Sequence, residues 1–136
     1  MAKPQSIIGA GVGRVEGAEK VSGQAVYAAD VPFPDALWGK ILRSPYPHAR
    51  IVKIDSSKAW QVAGVKAVVT GIDEPDHYVG KSIRDIPVLC WDKVRYIGDK
   101  IAAVAAETLE AAEEAISLIE VEYEILAPVI DAKTAL

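Results

Sequence analysis

The spacing of apolar and polar positions separates an unpatterned start from a strand-rich remainder. Residues 1–22 show no apolar periodicity and carry Gly9, Gly11, Gly13 and Gly17, so they read as an irregular N-terminal arm, expected to lie over a surface. From Gly23 onward, short strand patterns begin at residues 24–27, at 38–43 after the Pro32/Pro34 loop, and at 50–54 after the Pro45/Pro47 loop. Residues 23–136 are expected to form a single domain.

Two segments, residues 51–70 and 101–125, repeat one plan: a strand, an acidic residue with a Ser/Thr cap, a helix and a returning strand. In the second, Thr108 can accept the free N–H groups of the following turn and Glu110 sits near the positive end of the helix dipole, which predicts a helix start near Leu109. Leu109, Ala112 and Ile116 share one helical face, while Glu110, Glu113, Glu114 and Ser117 share the other. The strand beyond alternates strictly, with Ile119, Val121, Tyr123 and Ile125 opposite Glu120, Glu122 and Glu124, as a half-buried strand does. Residues 101–106 are apolar throughout and are expected to be the centre of the sheet, covered on both faces. Together these elements predict an α+β fold: a mixed sheet, two short helices and a hairpin-rich N-terminal half, with too few crossovers for a doubly wound layout.

Composition narrows the function. A chain of 136 residues that is 51% hydrophobic can build one core but not two comfortable ones. A net charge of -4, with no two basic residues adjacent, provides no footprint for nucleic acid or an anionic membrane, so protein or small-molecule partners are expected. Cys90 is the only cysteine, which excludes an internal disulfide, a multi-thiolate zinc site and a four-cysteine iron-sulfur cluster within these residues. A reducing, cytoplasmic location is expected. The pair Ile7-Ile8 is far shorter than a signal-peptide core or membrane span, so neither export nor anchoring is expected.

Several residues invite a chemical reading. Gly9, Gly11 and Gly13 suggest a phosphate loop, but the third glycine of the dinucleotide fingerprint falls on Arg14 or Glu16 and no strand precedes it. Glu120, Glu122 and Glu124 stand about 7 Å apart along one strand face and could ligate a metal. With no His or Asp beside them, a solvated face, or one meeting basic residues of a neighbouring domain, is the simpler reading. Ser44 and His48 share a proline-set loop but lack a paired carboxylate, so hydrogen bonding within the turn is favoured over nucleophilic catalysis. His77 lies in a polar loop. Trp38, Trp60 and Trp91 suit core or interface burial. Cys90, between Leu89 and Trp91, has no positive neighbour in sequence and reads as a small core residue. No catalytic, cofactor-binding or metal residue is assigned.

Residues 13–136 nonetheless resemble the α/β-hammerhead domain that opens the large subunit of xanthine dehydrogenases, aldehyde oxidases and carbon monoxide dehydrogenases, the molybdenum hydroxylases. The resemblance rests on Gly13-Arg14, the run Lys20-Val21-Ser22-Gly23-Gln24-Ala25-Val26-Tyr27-Ala28-Ala29-Asp30, Leu42-Arg43-Ser44-Pro45, His48-Ala49-Arg50-Ile51, Ile54-Asp55 and Gly64-Val65-Lys66-Ala67-Val68-Val69-Thr70. Pro87-Val88-Leu89, Lys93-Val94-Arg95-Tyr96-Ile97-Gly98 and Val121-Glu122-Tyr123-Glu124 continue it in order. Two positions depart from the pattern. Tyr46-Pro47 replaces small or His-containing residues, and Asp99-Lys100 stands where Gln or Glu is usually followed by proline, which restores a backbone donor before the central strand.

The resemblance implies a part of an oxidoreductase that hydroxylates carbon with oxygen from water at a molybdopterin-bound molybdenum, passing electrons to iron-sulfur clusters and usually FAD. It also implies that the catalytic glutamate and the cofactor-holding loops lie beyond this segment, so the chain alone is expected to bind no cofactor. Packing and assembly with the remaining molybdenum-binding domains or subunits is then its role. The alternative is a free-standing hammerhead module binding a protein or small ligand without redox activity.

Overall fold

A computed structural model describes residues 9, 11 and 13–135, which fall into two compact units, Met1–Asp35 and Ala36–Leu136. Ile7, Ile8, Ala10 and Val12 lie outside the described residues, and with them part of the glycine-rich stretch. Within the first unit, the arm expected to be irregular contains a six-residue helix, α1 (Gly17–Ser22). It escaped the periodicity reading because it buries no side chain and is held locally. Gly23 ends it in the left-handed region at φ 73°, Gln24 N–H donates to Glu19 O at 2.9 Å, and Lys20 pairs with Glu16 at 3.2 Å. The strand expected at residues 24–27 is not formed. Instead Tyr27 N–H donates to the Asp30 carboxylate at 2.9 Å, closing a 3₁₀ turn at Ala28–Asp30.

The second unit holds β1 (Trp38–Arg43), β2 (Ala49–Asp55), β3 (Val65–Thr70), β4 (Tyr78–Val79), β5 (Ile86–Pro87), β6 (Lys93–Val94), β7 (Lys100–Ala106), α2 (Leu109–Ser117) and β8 (Glu120–Ile125). The strands form two three-stranded sheets, β1-β7-β3 and β6-β2-β8, and the hairpin β4-β5, all antiparallel. The repeated plan explains this. Each repeat begins in one three-stranded sheet and ends in the other: β2 leads to β3, and β7 leads to β8. Each strand therefore pairs with one from the other repeat, β2 with β8 and β3 with β7, running the opposite way. In the first repeat the expected helix is only a 3₁₀ turn, Ala59–Gln61, because Gly64 at φ 88° turns the chain back within three residues.

The second repeat follows the sequence reading closely. Thr108 Oγ1 accepts from Ala111 N–H at 3.1 Å and starts α2 at Leu109. The buried stripe is Ala111, Ala112 and Ala115, rotated from the expected one, so that Leu109 and Ile116 are half-buried flanks. Small residues win this face because the helix lies close on Ala102, Val104 and Ala106 of β7. β7 is indeed the central strand of its sheet; on its odd-numbered positions Ile101 is fully buried, while Ala103 and Ala105 are only half-buried. β8 alternates as expected until Ile125, which is exposed at the strand end.

Candidate functional site

A cleft lies where the loop after β1, the loop after β6 and the tail after β8 meet. Pro47, His48, Arg95, Tyr96, Ile97, Pro128, Val129 and Ile130 line a mainly apolar cleft of about 480 Å³. Its walls are fixed by backbone bonds. Leu126 N–H donates to His48 O at 3.0 Å, and His48 Nδ1 lies 3.0 Å from Ala127 O, so the imidazole ties the tail to the loop. Ser44 is buried, and its hydroxyl is used inside the turn, donating to Tyr46 O at 2.9 Å and accepting from Tyr46 N–H at 3.0 Å. Ser44 therefore holds the turn and His48 binds the tail, both as structural hydrogen-bonding groups.

Beneath the cleft sits a residue that the sequence reading noted only as a departure. Asp99 is 2% exposed, and its carboxylate accepts from Arg95 N–H and from Lys100 N–H, both at 3.1 Å. Its own carbonyl accepts from Ser44 N–H at 2.8 Å, while Gly98 N–H donates to Ser44 O at 2.8 Å. Asp99 thus joins the start of β7 to the two loops of the cleft, and it uses the Lys100 N–H that a proline would lack. The only sequence signal was an acidic residue before the apolar run. Nearby, Tyr46 and Tyr123 pack edge to face with centroids 5.0 Å apart, and burial raises the pKa of the Tyr123 hydroxyl.

Cys90 is fully buried in a core cluster with Ala49, Ile51, Val94 and Ile101. Burial first, and then the neighbouring Asp99 carboxylate, push its thiol up to about 12, so it stays protonated at neutral pH. It is the inert core thiol expected. Trp91, beside it, is half-buried with its Nε1 enclosed and unpartnered, whereas Trp38 and Trp60 remain about half exposed, each at 52%, so neither is a core residue. His77 is exposed and lies 2.9 Å from Glu74.

The β8 carboxylates face basic residues of this same unit. Glu124 pairs with Arg50 at 3.4 Å, Glu120 pairs with Lys58, and Glu122 stands opposite Lys53 in the ladder. Among the described residues no group of three or more His, Cys, Asp or Glu could hold a metal ion, and one protonated cysteine does not match the thiolate set of an iron-sulfur cluster. Among the described residues the donor set does not fit an iron-sulfur cluster or another protein-ligated redox metal. No helix of the described residues is long and apolar enough to cross a membrane.

The chain belongs to the family described as aldehyde oxidase and xanthine dehydrogenase, a/b hammerhead domain, which it matches over residues 22–127. It is 54% identical over 114 residues to a probable xanthine dehydrogenase subunit of Bacillus subtilis, covering 83% of this chain and 15% of that protein. It is 43% identical to the nicotinate dehydrogenase large molybdopterin subunit of Eubacterium barkeri, covering all of this chain and 32% of that one. Among solved structures, CO dehydrogenase from Oligotropha carboxidovorans superposes with a TM-score of 0.85 at 37% identity, over 94% of this chain and 16% of that one. Quinoline 2-oxidoreductase from Pseudomonas putida 86 superposes at 0.81 and 34% identity, over 91% and 17%. The chain spans about a seventh to a third of the length of these proteins.

Proposed function

We propose that this chain is the hammerhead domain of the large subunit of a molybdopterin-dependent oxidoreductase, with a structural and assembly role and no catalytic residue of its own. The observation that carries this reading is the proportion of the match. A family domain fits residues 22–127, yet the aligned part of the chain makes up only 15% of the Bacillus relative and 16% of the CO dehydrogenase chain. In this reading residues 23–136 are the working domain and residues 1–22 an arm, consistent with a match that begins at residue 22. The small share of each relative that the chain spans supports assigning molybdopterin and FAD to remaining domains or partner chains, and the donor set supports placing iron-sulfur clusters there too. A single buried thiol suits a reducing cytoplasm, and the net charge of -4 argues against nucleic-acid or membrane partners.

The test is to purify the assembly containing this chain from its native cells, measure molybdenum, and assay oxidation of purines and aldehydes. Molybdenum together with the polypeptide of a large subunit is the expected result. A monomer without metal or partner overturns the reading and favours a free-standing module.

A further inference from the structure

Antiparallel sheets with one face in water alternate apolar and polar residues, and the sheet β1-β7-β3 breaks that rule. Its even-numbered side packs under α2 through Leu42, Val68, Ala102 and Val104. The opposite side reads Gly39 and Ile41 on β1, Ala103 and Ala105 on β7, and Ala67 and Val69 on β3, six residues without a polar side chain, with Arg43 at the end of β1, where the register shifts, reaching to Gly98 O. They lie in two cross-strand rows, Ile41-Ala103-Val69 and Gly39-Ala105-Ala67. The first row is left open, Ile41 at 44% and Val69 at 36% exposure. In the second, a Cβ built on Gly39 would meet nothing within 4 Å.

A sheet that is apolar on both sides is one covered on both sides, and the small-residue row lets a partner approach the backbone closely. Resting on the function proposed above, we infer that this face is where the rest of the large subunit packs, so that the sheet becomes the middle layer between α2 and that polypeptide. The occupant follows from length: the matched residues are 15% of the Bacillus relative and 16% of the CO dehydrogenase chain, so most of each such protein lies outside the hammerhead. A face whose central six positions carry no charge selects an apolar surface as its complement, which the bulk of a large subunit can supply.

The experiment uses the intact native assembly. A diazirine analogue of leucine is placed at position 69, the assembly is irradiated, and the cross-linked peptides are identified. In parallel, Val69→Cys and Val52→Cys are treated with a maleimide; Val52 is 62% exposed on the other three-stranded sheet, and buried Cys90 supplies the baseline. Cross-links to large-subunit residues outside the hammerhead are expected, with labelling lost at Val69→Cys and retained at Val52→Cys. Cross-links to residues 1–35 or to a second copy overturn the inference, as does insertion of water alone with full labelling of Val69→Cys. If the assembly contains molybdenum and position 69 still meets only water, the docking face fails while the proposed function stands. An assembly without molybdenum or large subunit fails both.

Discussion

Asp99 offers the sharpest check on how this domain is held together. The side chain is 2% exposed and accepts two backbone N–H bonds, from Arg95 and Lys100, each at 3.1 Å. Asp99→Ala removes both acceptors and leaves the two donors unpaired in a part-buried turn. An unsatisfied buried donor costs about 1–3 kcal/mol, so the pair predicts a loss of about 2–6 kcal/mol. That is a large part of the 5–15 kcal/mol or so that holds a domain of ordinary stability. Asp99→Asn keeps one carbonyl acceptor but turns an N–H₂ toward the second donor, so its loss should fall between wild type and Asp99→Ala. Urea unfolding followed by the fluorescence of the adjacent Trp91 region measures both. The bond from Ser44 N–H to the Asp99 carbonyl belongs to the backbone and should survive either change. A loss below about 0.5 kcal/mol for Asp99→Ala, the range of ordinary surface substitutions, would mean that the two donors find other partners and that the carboxylate does not hold the loops.

Further outcomes follow from other contacts. Gly71→Ala would drive its Cβ into Cys90 O and bring it to 2.8 Å from Trp91 N, all rigid backbone, so thermal unfolding should reveal a loss of at least about 1–3 kcal/mol. Thr108→Ala deletes the α2 cap and should cost about 1 kcal/mol, with Thr108→Ser nearly neutral; equal losses in the two variants would contradict the cap. Because the Cys90 pKa is raised from 9.0 to about 12, the folded state keeps a proton that the unfolded state releases. Its contribution is therefore full below pH 9.0 and lost as pH rises toward about 12, and in that window thiolate absorbance should appear only on unfolding. Thiolate forming in folded protein near pH 9.0 would contradict that burial. Finally, Glu124→Gln should change stability by under about 0.5 kcal/mol, since both side chains of the Arg50 pair are more than half exposed.

Elements whose information is local could be read from the chain alone. The Thr108 cap, the alternation of β8, the apolar run of β7 and the ordered motifs of the family each need only neighbouring residues to be recognised, and each corresponds to a feature of the structure. Whatever depends on contacts distant along the chain was settled by folding. Pairing of β2 with β8 and of β3 with β7 divided the strands between two sheets, because each repeat sends its strands to different sheets. Packing of α2 on the alanines of β7 selected Ala111 and Ala115 over Leu109 and Ile116 as its buried stripe. Asp99 gained its importance only when the loops after β1 and β6 were brought to it, since a buried carboxylate is defined by the donors that surround it. The helix α1 was missed because hydrogen bonds and a left-handed glycine hold it without an apolar face, and hydrophobic periodicity reports only helices that bury one.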